Sequence, residues 1–346
     1  MQSFSALATD FASYFDRKHF PAEPASLYAP NNYFLGLGGK RIRPILCLMG
    51  NELFTEIHPS AWEVATAIEL FHNFTLIHDD IMDKAPLRRG LPTVHEKFGQ
   101  NTALLAGDVM LIKAYECLSK VPPSILLSIF SLFNKTATEV CEGQQLDMDF
   151  EQRTNVVLDD YLVMIEKKTS VLLAAALVMG AIVGGSGERN QQLLYQFGRK
   201  LGLAFQVQDD YLDAFGDPQK FGKQIGGDIL ADKKTFLLIH AFETANKDDL
   251  AVLQSWLGKQ SDNKINDVLS VYRKCGIDQW ALSLKNKFLD DLVVDGSIPD
   301  KYPVNISKVL YQLRVAGFKI EKVGYGHLYC FLFDWLERFV PLSRIR

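Results

Sequence analysis

Asp79, Asp80 and Asp83 close one strongly apolar stretch, and Asp209, Asp210 and Asp213 close another at the same D-D-x-x-D spacing. Residues four apart share a face of a helix, so each motif sets two carboxylates side by side. Such a pair repels itself and resists burial unless a cation lies between the two groups. Mg²⁺ fits, because it takes a few carboxylate oxygens and completes its shell with phosphate oxygens and water. Arg88 and Arg89 follow Asp83 after five residues, and the guanidinium fork matches phosphate oxygens. A single such motif is readily explained as a solvated helix end. Two on one chain are suited to clamping one diphosphate through several metals.

Other residues fit an anion held at those carboxylates. In NNYFLGLGGKRIRP, from Asn31, the glycines Gly36, Gly38 and Gly39 leave backbone open to a ligand, and Lys40, Arg41 and Arg43 supply cations just ahead of Pro44. A glycine-rich turn with clustered cations before a helix is either a diphosphate cradle or a solvated basic loop. His72 lies two turns before Asp79 on the same face, where a core histidine and a ligand contact are equally good readings. Lys167, Lys168 and Thr169 stand at the edge of an apolar run, where a lysine reaches water or faces an anion. Gln206 shares a face with Asp209, and Lys223, Asp228 and Lys233 lie in a long Gly-, Lys- and Asp-rich loop placed to close over a metal-bound anion. Gln144 and Asp147 share a helix face and read as structural partners.

A third set bears on an apolar tail. Phe74 lies five residues before Asp79, roughly 7.5 Å down a helix, and Phe71 eight before, about 12 Å down. Thr75 is four before and faces as Asp79 does. With a charged head at the aspartates, these side chains set how deep a tail can reach; otherwise they are core packing.

The elements that must carry these groups are helical. Apolar residues recur at helical spacing over 1–20, after which Pro21, Pro24 and Pro30 break the chain. A helix over about 61–83, capped by Ser60, carries the first motif; one over 190–213 carries the second. Val171–Gly185 is apolar throughout but too short for the roughly 20 residues of a bilayer span, and its Ala and Gly suit a helix packed on all sides. No alternating strand pattern is evident, so the class is all-α. The 346 residues, 48% hydrophobic and 23% charged, suit a globular protein with a deep core. A net charge of −4 with no basic run argues against nucleic acid. Five scattered cysteines without a CxxC pair, and no secretory signal, suit a cytoplasmic protein.

The motifs together resemble the trans-isoprenyl diphosphate synthases, or polyprenyl synthetases. The matching pieces are GGKRIRP (Gly38–Pro44), LIHDDIMD with PLRRG (Leu76–Gly90), AGDVML (Ala106–Leu111), GQQLD (Gly143–Asp147), KKTS (Lys167–Ser170), FQVQDDYLD (Phe205–Asp213) and GKQIGGDILADKKT (Gly222–Thr235). They cover about 36–240 in the family's order. The resemblance implies one all-α domain over 1–346 with the isoprenoid synthase fold, helices around a deep central cavity, usually as a homodimer. It implies three Mg²⁺ ions, held by Asp79 and Asp83 with Asp80 in support, and by Asp209 with Asp210 and Asp213 lining it. Arg88, Lys168, Lys223 and Lys233 resemble the cations around an allylic diphosphate. Lys40, Arg43, His72 and Arg89 resemble the isopentenyl diphosphate pocket, and Thr169 and Gln206 the polar groups near a developing carbocation.

Bulky Phe74 beside small Thr75 looks like the short-chain pattern, C15 to C20, favouring C20 over a long-chain synthase. A terpene cyclase of this fold is the nearest rival, but those usually replace the second aspartate motif and lack GGKRIRP. An HD-type phosphohydrolase using His78-Asp79 leaves the second motif unexplained, and a non-catalytic regulatory subunit predicts lost aspartates. The aromatic tail from about 290 to 346 departs from the family's usual C-terminal helix.

Overall fold

The structure, a computed structural model, describes residues 2–216, 225–259 and 261–294. The tail expectation falls almost wholly outside these residues, and Lys223 lies outside them too. The described chain is helical apart from one two-stranded hairpin. It divides into two compact units: Met1–Thr136 with Leu172–Tyr195, and Ala137–Val171 with the described chain from Gln196 onward.

In the first unit, α1 (Phe4–Phe15), α2 (Ala25–Gly36), α3 (Ile42–Glu52) and α4 (Pro59–Met82) lead to the first aspartate motif. Strands β1 (Leu87–Arg88) and β2 (Leu91–Pro92), α5 (Val94–Phe98) and α6 (Gln100–Leu118) follow. Helix α4 packs along α6 and α3. Two glycines allow close approaches within this unit. A Cβ at Gly50 of α3 would stand 2.2 Å from the Leu177 carbonyl oxygen, in α9 (Val171–Val183), and one at Gly107 of α6 2.3 Å from His78 Nε2. Helix α9 is the apolar run, with its residues from Val171 to Met179 buried, as an all-round packed helix requires.

Three local expectations need correction. Pro30 does not end a helix but lies inside α2 and is buried there. The hydrogen bond its ring forfeits is offset by that burial, and the next residue ties α2 to α6, Asn31 Nδ2 donating to the Ala106 carbonyl at 2.9 Å. His58, not Ser60, caps α4: its Nδ1 accepts from the Ser60 amide at 3.1 Å, because Pro59 suits the first helical position and shifts the cap back. The hairpin is the third. Arg89 and Gly90 form its turn with φ of +54° and +77°, which matches strand twist and pairs Leu87 with Pro92 and Arg88 with Leu91. Strands of two residues are too short for an alternating pattern.

The second unit takes in α7's C-terminal half, from Ala137; the helix spans Pro123–Gln152. After it come α8 (Leu158–Ile165), a π-helical turn (Glu166–Ser170), and α10 (Glu188–Phe215), which bears the second motif. Then follow α11 (Gly227–Leu230), α12 (Phe236–Thr244), α13 (Lys247–Trp256), α14 (Asp262–Lys274) and α15 (Ile277–Val294). Val207, Phe236, Leu237, Leu253, Val271 and Ile277 belong to its core. No helix among the described residues is long and apolar enough to cross a membrane.

Candidate active site

In the first unit the basic segment, the end of α4 and the hairpin meet. Arg41 caps α3 with a left-handed φ of +52°, and Gly38 and Gly39 before it also have positive φ. Gly39 has no side chain to keep Arg89 away: a Cβ there would stand 3.0 Å from Arg89 Nη2. One turn on, Arg43 Nη1 lies 3.0 Å from His72 Nε2. Burial, followed by the charges of Arg43, Arg88, Arg89 and Arg41, pushes the His72 imidazole well below its usual range. The neutral ring therefore accepts from Arg43. Burial also lowers Arg43 to about 10, and its Nε is buried without a partner, a donor aimed at nothing in the protein. Arg43 thus pairs with His72, Arg89 lies against Gly39 with its charge felt at His72, and Lys40 is exposed.

Arg41 serves a different end. Its Nη1 donates to Glu69 Oε1 at 2.7 Å and its guanidinium lies 4.4 Å from the Phe15 ring centre. Asn73 Nδ2 donates to the same Glu69 oxygen at 2.8 Å. Nothing in the sequence pattern marked Glu69; its partner lies 28 residues away.

The first motif splits in two. Asp80 is buried, and Arg88 grips it with Nε at 2.9 and 2.8 Å and Nη2 at 2.8 Å. Burial raises the Asp80 pKa against the pull of Arg88. Asp83 is exposed and Asp79 partly so, one helical turn apart, with the Asp83 amide donating to the Asp79 carbonyl at 2.8 Å. Down the same helix, Phe74 packs on His78 at 4.7 Å between centroids and on Phe71 at 5.7 Å. Phe71 meets Phe133 of α7 at 5.1 Å, and Phe133 meets Tyr115 of α6 at 5.1 Å. Thr75 turns its hydroxyl back to the His72 carbonyl at 2.8 Å.

In the second unit the π-turn is wedged between two glycines. A Cβ at Gly143 of α7 would lie 2.3 Å from the Lys168 amide nitrogen, and one at Gly202 of α10 2.4 Å from Ser170 Cα. Single π-turns inside helices recur at functional sites because they re-aim side chains. Here the turn gives Lys168 Nζ to Asp147 Oδ2 at 2.6 Å and Thr169 Oγ1 to Gln206 Oε1 at 2.9 Å. The pairing of Asp147 with Gln144 expected from their shared helix face is not made: Asp147 takes Lys168 instead, and the Gln144 side-chain nitrogen and oxygen are buried without a partner.

Gln206 Nε2 then donates to Asp210 Oδ1 at 2.7 Å, and the Tyr161 hydroxyl to Asp210 Oδ2 at 2.5 Å. The result is a chain Thr169–Gln206–Asp210–Tyr161. Burial, then the nearby Asp228 charge, drives the Asp210 pKa well above the carboxylate range, against the two hydrogen bonds. Tyr161, 49 residues from Asp210, carried no sequence signal as a partner. Asp213 Oδ2 accepts from the Asp228 amide at 3.0 Å, while Asp209 is partly exposed.

The donor chemistry suits a hard cation. Each motif presents an i, i+4 carboxylate pair, oxygen only, partly open to solvent, while its middle aspartate is engaged inside the protein. Within the described residues no group of three or more His, Cys, Asp or Glu is set to hold a metal by itself.

The polyprenyl synthetase family profile matches residues 24–275, most of the chain and parts of both units. The chain belongs to the polyprenyl synthetase family. A geranylgeranyl diphosphate synthase of Methanosarcina mazei is 46% identical over 229 residues, 66% of this chain and 71% of its own. A crystal structure of a geranylgeranyl pyrophosphate synthase superposes with a TM-score of 0.82 at 41% identity, covering 92% of this chain and 97% of that one. The Corynebacterium glutamicum geranylgeranyl pyrophosphate synthase, solved with isoprenyl diphosphate and magnesium, gives 0.75 at 26% identity, covering 90% and 97%. The fold is accordingly the all-α isoprenoid synthase fold, and the protein is a prenyltransferase.

Proposed function

We propose that the protein condenses isopentenyl diphosphate head-to-tail with an allylic diphosphate, giving a short-chain all-trans prenyl diphosphate of C20. Divalent-metal dependence comes with the family; that the ion is Mg²⁺, three per site, is part of the proposal. So are a single functional domain, a homodimer and a cytoplasmic setting. The observation that supports the reading is the concentration of cations in the first unit, with Arg43 against a neutral His72 on the helix that carries the first aspartate motif and Arg89 of the following hairpin against Gly39.

In this reading Asp79 and Asp83 hold metal from one motif and Asp209 and Asp213 from the other. Asp80 anchors Arg88, and Asp210 anchors Gln206. Bound Mg²⁺ neutralises the allylic diphosphate and makes it a leaving group. Arg88, Lys168, Lys223 and Lys233 add fixed positive charge around that diphosphate, and preorganised charge is worth most where charge develops. Lys40, Arg43, His72 and Arg89 take the isopentenyl diphosphate. Neutral His72 keeps Arg43 oriented without adding another proton to lose. Thr169 and Gln206 turn their oxygens toward the allylic cation, in a cavity dry enough to spare it from water. The double bond of isopentenyl diphosphate attacks C1, and a proton leaves to the released diphosphate. No protein base is required.

Phe74, backed by Phe71 and beyond it Phe133, is the floor that stops growth at C20, with small Thr75 leaving room above it. The test is incubation of the full chain with isopentenyl diphosphate, Mg²⁺ and each of the C5, C10 and C15 allylic diphosphates. Extraction and chromatography should give a C20 diphosphate; a cyclised hydrocarbon or unreacted primers would overturn the reading.

A further inference from the structure

The segment from Gly226 to Thr235 carries Asp228 and Lys233, and it is pinned at both ends. At the start, the Gly226 amide donates to the Asp213 carbonyl at 2.7 Å and the Asp228 amide to Asp213 Oδ2 at 3.0 Å. At the far end Asp232 adopts a left-handed φ of +53°, which a non-glycine residue holds only when its surroundings fix it. Its Oδ2 accepts from the Gly258 amide at 3.0 Å and its Oδ1 from Lys264 Nζ at 2.8 Å. Lys234 runs the other way, its ammonium capping the Phe150 and Arg153 carbonyls at the end of α7.

Lys264 is the unusual member. It comes from α14, far from any motif, and its side chain is 1% exposed. Burying an ammonium is costly unless each proton finds an acceptor. Here three do: Asp232 Oδ1, the Lys259 carbonyl at 3.0 Å and the Leu230 carbonyl, at the end of α11, at 3.3 Å. Asp210, Asp213, Asp228, Asp232, Lys233 and Lys264 line one cavity with apolar residues behind them. Four carboxylates around one space repel, and Lys264 sits against the one nearest Lys233 in sequence.

We propose that Lys264 is a positioning residue: through Asp232 and the Leu230 carbonyl it fixes the backbone that presents Asp228 and Lys233 to a diphosphate bound at the second aspartate motif. The inference deepens the proposed function and rests on it. The Lys264 ammonium is spent on Asp232 and two backbone carbonyls, so its removal should act on one ligand and not the other.

The test compares full-length wild type, Lys264→Met and the double variant Lys264→Met with Asp232→Asn. The double variant removes the stranded carboxylate, and asparagine tolerates the left-handed backbone, so it keeps the test alive if the single variant misfolds. Two readouts are taken: KM for each substrate, and the melting-temperature shift given by Mg²⁺ with inorganic pyrophosphate. Both variants are expected to raise KM for the allylic diphosphate about tenfold while leaving KM for isopentenyl diphosphate within about twofold. Both should lose most of the pyrophosphate-induced shift. A double variant that matches wild type in both readouts overturns the proposal, since Lys264 would then only balance charge. An equal rise in both KM values overturns it too, as a general structural defect. Absence of condensation and of the shift in wild type would instead sink the proposed function, and this inference with it.

Discussion

The two aspartate motifs share a spacing but not a chemistry. In the first, the middle aspartate is gripped by a full positive charge: Asp80 holds Arg88 in a bidentate clasp, and a hairpin turn sets Arg89 against Gly39. In the second, the middle aspartate is held by neutral groups, Tyr161 and Gln206, and its pKa is driven well up. The first motif organises cations; the second organises a run of hydroxyl and amide groups that ends at Thr169. Under the proposed function the first motif would serve diphosphate capture, and the second would also shape the polar surface beside the reacting carbon.

The contrast gives its largest effect at the outer aspartates. Asp79→Ala and Asp209→Ala should each cut turnover by about 10³-fold or more, because a lost metal ligand forfeits several kcal/mol of charge stabilisation, while far-UV circular dichroism stays helical. Retained turnover in either would remove that motif from metal binding. The next effect separates the middle residues. Asp210→Asn keeps an acceptor for Tyr161 or Gln206 and should retain clearly more activity than Asp210→Ala, whereas Asp209→Asn should be as damaging as Asp209→Ala. Equal losses for the two Asp210 variants would mean that its charge, and not its hydrogen bonds, matters.

A smaller change should follow at the floor. Phe74→Ala should lengthen the products seen by chromatography with modest loss of rate; an unchanged product would move the floor to Phe71 and Phe133. The least effect is on stability and lies away from both motifs. Glu63 keeps a pKa near 2: burial raises it, but hydrogen bonds from Arg17, Tyr14 and Lys120 prevail. A carboxylate depressed on folding contributes stability above its unfolded pKa of about 4.5 and loses it as pH falls toward 2. Glu63→Gln should therefore lower the melting temperature at pH 7 and flatten its fall between about pH 4.5 and 2. An acid profile parallel to wild type would show that the pair contributes nothing.

The two aspartate motifs and the helices that carry them are legible in the sequence because they are short patterns on helices whose apolar period is plain. Even some motif glycines became intelligible through contact: Gly107 admits His78, and Gly143 admits the π-turn. What stayed hidden depends on pairing across the chain. Glu69, Tyr161 and Lys264 meet Arg41, Asp210 and Asp232 at separations of 28, 49 and 32 residues, and no local pattern encodes such distances. The π-turn escaped because one extra residue in a helical turn leaves apolar spacing unchanged over so short a stretch. Pro30 misled because a proline rule ignores how much burial offsets a lost hydrogen bond.

Under the proposed function, binding of the allylic diphosphate needs the carboxylates of each motif. Isothermal titration of a non-hydrolysable allylic diphosphate analogue, with and without Mg²⁺, into wild type, Asp79→Ala and Asp209→Ala tests it most directly. Metal-dependent binding in wild type and its loss in both variants is the expected result; wild-type affinity surviving in either variant would contradict it.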